Sequence, residues 1–250
     1  KPQRIRQQIH LSEDTDFCLA FAKKIISAKI HNQMVVCRRY RKNLNLQSEL
    51  RNMYLAEQKV TQSTSIPEVM GYEGVVAKIY FSALSQIVEP AFRFQGRTRQ
   101  PPKDAFNSML SLGYTMLLYE IYGELEHRGL SPYIGLMHAD KEGHPSLASD
   151  LMEEWRSFVV DSVVLSLVQG KEIQIAQFET DEETSGVYLK KDAMKIKKQK
   201  IEMKFRSINQ YLALYPERNS IRRGLYLQSI SFLQMLQTKD LQLYEPLRIR

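Results

Sequence analysis

Apolar residues return every three or four positions through almost the whole chain and alternate at strand spacing almost nowhere. Phe17, Phe21 and Ile25, with Leu19, Ala22, Ile26 and Ile30 beside them, form one such stripe that runs to about Tyr40, which is the period of a helix. Ser12 to Asp16 places capping residues and acids at its start, and Arg38, Arg39, Arg41 and Lys42 close it. Both ends therefore suit the helix dipole. The same reading predicts a polar helix over 46–60 and a mostly apolar one over 68–88, opened by Pro67 and ended by Pro90. A long apolar helix runs from Asp104 to His127 and stops at Arg128-Gly129. Further helices are expected over 146–168, 190–205 (strongly basic) and 217–238. Residues 1–11, KPQRIRQQIHL, show no clear period and read as a linker or the remnant of a preceding domain. Residues 171–189 read as a short extended pair, QIAQF and GVYL, around an acidic turn. The expected class is all-α, with residues 12–250 as one helical domain.

Charge narrows the partners. There are 35 Lys and Arg against 28 Asp and Glu, a net of +7, which permits an anionic partner without requiring one. No apolar run is long enough to span a bilayer, and no signal-peptide pattern is present; a cytoplasmic location is expected. Cys18 and Cys37 lack CxxC spacing and read as structural thiols in a reducing compartment. Walker, GxGxxG, GxSxG and HExxH motifs are missing, so ATP hydrolysis, dinucleotide chemistry and serine or zinc proteolysis have no sequence support.

Two stretches could carry chemistry. In HPSLASDLMEEWRSFVVD, Asp150, Glu153 and Glu154 fall near one face of the expected helix, one turn apart. A solvated acidic first turn is the ordinary reading. Against it, Leu147, Leu151, Trp155, Phe158 and Val159 form the core stripe, so at least one acid approaches the core boundary and needs a cation there. His138 ends the apolar approach Ile134-Gly-Leu-Met just before this helix, while His144 lies in a hydrophilic loop and reads as a bystander. Upstream, Glu73 stands alone among small and apolar residues in GYEGVVAKIYFSAL, and a buried glutamate is rare unless paired. One imidazole with two carboxylates suits Mg²⁺ or Mn²⁺ better than structural zinc. Arg93, Arg97, Arg99 and Lys103 share a loop with Phe92 and Phe94; Lys190 to Arg206 is rich in lysine; Arg218, Arg222 and Arg223 lie on the expected last helix. Such charge is a solvated face or a phosphate-binding surface.

Taken together, LAFAKKIISAKIHNQ, GYEGVVAKIYFSAL, GRTRQPPKDAFNSMLSLGYTMLLYE and YIGLMHADKEGHPSLASDLMEEWRSFVVD resemble, in that order, the helical catalytic domain of the CRISPR-associated endonuclease/integrase family, which inserts new spacers during adaptation. The resemblance implies that Glu73, His138 and Glu153 bind a Mg²⁺ or Mn²⁺ ion and form the catalytic set. It implies a supporting or alternate role for Asp150, support from Asn107 and Tyr114, and nucleic-acid contacts from Arg97, Arg99, Lys103, Arg222 and Arg223. The implied reaction is attack of a pre-spacer 3′-hydroxyl on a phosphodiester at the edge of a CRISPR repeat. Implied partners are DNA, a second copy in a homodimer and a small ferredoxin-like adaptation subunit; fusion to a reverse transcriptase is a further expected arrangement, and whether RNA is accepted stays open. The family carries an N-terminal β-rich domain, and this chain begins about where that domain would end, as a truncation or a piece of a fusion would. Two rival readings remain on the residues: a non-catalytic helical nucleic-acid-binding scaffold, and a stand-alone nuclease acting on branched DNA.

Overall fold

The computed structural model describes residues 2–250. Nine α-helices make up most of the described residues: α1 (Pro2–Ser12), α2 (Thr15–Tyr40), α3 (Gln47–Gln62), α4 (Ile66–Ile87), α5 (Ala105–His127), α6 (Ser146–Met152), α7 (Ser162–Gln169), α8 (Lys191–Arg206) and α9 (Ile221–Thr238). An extended pair forms in the expected region but shifted: of QIAQF, Ile175–Gln177 make a 3-10 turn, and β1 (Phe178–Thr180) pairs antiparallel with β2 (Val187–Leu189), Glu179 opposite Tyr188. A second antiparallel pair, β3 (Ile208–Asn209) and β4 (Asn219–Ser220), was not expected from the sequence. No helix among the described residues is long and apolar enough to cross a membrane.

Helix starts follow the capping chemistry. Asp14, Asp104 and Ser220 accept the backbone N–H three residues on at 3.0, 2.7 and 3.1 Å, each worth about 1 kcal/mol. α2 is the central element. It packs on α3 and α4, and also meets the segment after α6 and the C-terminal stretch. Phe21, Ile25, Ile26 and Ile30 are buried on it, at roughly 1.5–3 kcal/mol per side chain. α5 packs on α6 and α9.

Two expectations need correction. Residues 2–12 are helical and docked: Leu11 is buried, and Gln8 donates to Ser131 O and Ile134 O, both at 2.8 Å, while accepting from Ser131 N. Their apolar signal is two or three side chains, too few to show a period, and a glutamine supplies the anchor. The helix expected over 146–168 is broken. After α6 the chain tightens, with Trp155 N bonding Met152 O at 3.0 Å, and then widens into a π-helical turn over Ser157–Asp161 before α7. Asp150, Glu153 and Glu154 do not share one environment: they meet His138, Lys29 and Tyr244 respectively. π-turns are rare and concentrate at functional sites.

Candidate active site

The turn before α6 is built by one carboxylate. Asp150, fully buried, accepts Leu136 N and Met137 N on Oδ2 at 2.8 and 3.0 Å, and His138 N on Oδ1 at 3.0 Å. Its Oδ1 also lies 2.6 Å from His138 Nδ1. An imidazole held through Nδ1 keeps Nε2 as its free lone pair, the arrangement that orients metal-binding histidines. Burial pulls the His138 pKa down, but the Asp150 hydrogen bond and charge outweigh it and leave it above the usual value. Gly135 is required by close approach, since a Cβ there would meet His138 O at 2.7 Å and Ser146 Cβ at 2.9 Å.

Glu153 and Glu73 converge on a shared cation. Lys29 Nζ, from α2, lies 2.5 Å from Glu73 Oε1 on α4 and 2.5 Å from Glu153 Oε2. Arg156 contacts the other Glu153 oxygen at 3.0 Å. Burial opposes charge on Glu153, yet Arg156, Lys29 and His138 bring its pKa down to about 2. Lys29 is likewise pushed down by burial but held above its ordinary range by Glu153 and Glu73.

Of these groups, Lys29, Glu73 and Arg156 border a cleft of about 850 Å³ lined also by Gln33, Arg93, Arg97, Arg99, Tyr114 and Asp161 among others. Tyr114 carries Arg97 on its ring at 5.3 Å and Arg156 at 5.1 Å. Its hydroxyl donates to Asp161 at 2.6 Å, and Tyr80 donates to the same carboxylate at 2.7 Å. Asn107 sits beneath the 96–98 loop. Its Oδ1 accepts from Arg97 at 2.9 Å and from Thr98 N at 3.1 Å, and its Nδ2 donates to Gly96 O at 2.8 Å. Arg97 is thus aimed by Asn107 and Tyr114 together.

Not every expected residue joins this site. Glu154 turns away from the cleft and accepts from Tyr244 OH, Leu247 N and Gln228, and burial pushes its pKa up to about 7 against those hydrogen bonds. Arg222 is engaged within the fold: it forks Glu120 at 2.6 and 2.9 Å and Glu202 at 2.9 and 3.0 Å. Its side chain stays about 42% exposed, and its guanidinium charge is shared between those two carboxylates. Arg223 lies over the Tyr226 ring at 4.3 Å, and Lys103 donates to Thr184 O at 3.0 Å beside β2. Lys29, Arg156 and Asp161 are the residues that sequence reasoning passed over. A signal existed for Lys29, which falls one turn after Ile25 and Ile26, on the apolar stripe of α2.

A divalent ion can be tested against this donor set. Among the described residues, no three His, Cys, Asp or Glu side chains close on one point. Two carboxylates do close on one cation, the Lys29 ammonium, and an oriented imidazole lies near enough to Glu153 to influence its charge. Hard oxygens plus one imidazole fit Mg²⁺ or Mn²⁺.

The family model described as CRISPR associated protein Cas1 matches residues 1–203. A CRISPR-associated endonuclease Cas1 from Mycobacterium tuberculosis is 37% identical over 234 residues, covering 94% of this chain and 69% of that protein. Among solved structures, a Cas6-RT-Cas1–Cas2 complex superposes with a TM-score of 0.88 at 25% identity, over 99% of this chain and 27% of that one. A casposase bound to integration product superposes at 0.85 and 24% identity, over 95% of this chain and 69% of that one, which is a likeness of fold.

Proposed function

This chain belongs to the CRISPR-associated protein Cas1 family, and from that premise we propose that it is the catalytic part of a metal-dependent DNA endonuclease and integrase that inserts spacers into a CRISPR array. One observation carries the reading. Two carboxylates, Glu73 on α4 and Glu153 just past the end of α6, meet one cation, Lys29, at the edge of a cleft lined by Arg93, Arg97, Arg99 and Arg156. Such a site presents a cation and several guanidinium groups to a phosphodiester.

Glu73, His138 and Glu153 would hold the ion, with Asp150 fixing the His138 ring. When bound, Mg²⁺ or Mn²⁺ supplies Lewis-acid stabilisation of the charge that builds on the scissile phosphate. The chain's own groups do the rest. Arg97 and Arg156, braced on Tyr114, hold phosphate oxygens, and the arginines bordering the cleft hold the flanking backbone. A pre-spacer 3′-hydroxyl then displaces the 3′-oxygen of the repeat strand at phosphorus. One P–O bond forms as one breaks, so no ATP is consumed. DNA is the substrate of this reading, with RNA as a second polymer to test. A Cas2 partner and a reverse-transcriptase fusion belong to the same proposal, supported by the likeness to a Cas6-RT-Cas1–Cas2 complex, and a homodimer is proposed with them.

The test is joining of a 3′-end-labelled oligonucleotide to a repeat-bearing plasmid with Mn²⁺. Glu73→Ala, His138→Ala and Glu153→Ala should each abolish joining while DNA binding persists. Joining retained by all three variants would contradict the assignment and favour a non-catalytic scaffold.

A further inference from the structure

We propose that Lys29 is a tethered cation that competes with a divalent ion for the oxygens of Glu73 and Glu153, and so sets the ion concentration at which the site loads. The inference rests on the metal reading above and adds a specificity-determining residue to it.

Geometry carries the argument. The Lys29 ammonium lies 2.5 Å from an oxygen of each carboxylate. Its position is defined by the fold: Lys29 is 8% exposed, between buried Ala28 and Ile30. One turn along α2, Asn32 Nδ2 donates to Glu154 O at 2.9 Å and to Leu247 O at 2.8 Å. α2 is therefore pinned to the turn that carries Glu153, and the ammonium is delivered to the carboxylates with little freedom. Glu153 also has Arg156 as a partner, whereas Glu73 meets, among the described residues, no ion-pair partner but Lys29. An ion that uses these oxygens must take them from the ammonium, because the two cations would repel across a few ångströms of poorly solvated interior. The ammonium has somewhere to go, since Lys29 lines the cleft. Its flexible stem can carry the charge toward the phosphate-binding side.

Mn²⁺ binding to the metal-stripped protein, followed by calorimetry, tests this. Lys29→Met keeps the stem and removes the charge. It is expected to tighten the apparent Kd by about tenfold or more. Without metal, the same variant should melt several degrees lower, as two carboxylates lose a cation, and Mn²⁺ should reverse the loss. Equal or weaker Mn²⁺ binding by Lys29→Met overturns the competition while leaving the metal site standing. Mn²⁺ binding by neither form overturns the metal reading itself, and the competition with it. A second measurement needs only the wild-type chain: lysine acylation read by mass spectrometry. Mn²⁺ should raise labelling of Lys29 several-fold, and unchanged labelling overturns the displacement.

Discussion

Lys29 and Lys197 are both buried lysines, and the fold treats them in opposite ways. Lys29 lies between two carboxylates, which outweigh burial and keep it charged. Lys197, on α8 and fully buried, has no hydrogen-bond partner for its ammonium. It lies against Gly113, where an added Cβ would come within 3.2 Å of Nζ, and burial pushes its pKa down to about 7, with Asp161 only partly opposing the shift. Desolvation is common to both; the difference is the carboxylates placed within contact. A buried charge marks a site when the fold supplies partners that another cation could use. Without them it is a cost carried by the fold.

The largest effect that could break this contrast lies at the cleft. Glu153→Ala should lower strand joining by about a thousandfold or more, by analogy with loss of a charge-stabilising group in an active site. Activity close to wild type would place Lys29 in the same purely structural class as Lys197.

Next comes Lys197→Met. The folded state resists the proton that the unfolded chain accepts up to about pH 10.5, so the unfolded state binds more protons between about pH 7 and 10.5. Stability should therefore rise with pH across that window. Below it, removing the ammonium should add on the order of 4 kcal/mol. Urea unfolding at pH 6 and pH 10 reads this, with a large gain at the first and little at the second. A loss of stability at pH 6 would mean that Lys197, like Lys29, has a partner worth keeping.

Tyr244→Phe probes the side of the Glu153-Glu154 turn that faces away from the cleft. It removes a hydroxyl bonded to buried Glu154 and should cost about 1–3 kcal/mol in urea unfolding. Mn²⁺ affinity should stay near wild type, since the cleft groups are untouched. The smallest effect is expected from Arg222→Ala. Its partners are Glu120 and Glu202, so DNA affinity should change less than with Arg97→Ala, which removes a guanidinium from the cleft lining.

Much of the fold was legible because helices announce their ends. Asp104 caps where the sequence put the start of α5, Pro67 lies in the first turn of α4, and Pro90 follows its end. α1 was not legible, because Gln8 and Leu11 are too small a signal beside its basic residues. The π-turn at Ser157–Asp161 left no mark in a stretch whose apolar pattern fits an unbroken helix. Glu153 and Glu154 are adjacent, so their side chains leave the backbone about 100° apart whatever follows, and spacing alone could not choose between them. The candidate site was legible in Glu73 and His138, polar residues set in apolar stretches, which the structure leaves half-buried. It was not legible in Lys29, Arg156 and Asp161, whose roles arise from contacts between elements distant in sequence: Lys29 meets Glu73 across 44 residues and Tyr80 meets Asp161 across 81. Arg222 adds contacts of the same long-range kind, since its two carboxylate partners, Glu120 and Glu202, lie 102 and 20 residues away.

Anomalous diffraction from crystals soaked in Mn²⁺ tests the central claim most directly. The account predicts one ion held by Glu73, His138 and Glu153, with the Lys29 ammonium withdrawn into the cleft. Lys29 still seated between the two carboxylates, with manganese bound elsewhere or not at all, would contradict it.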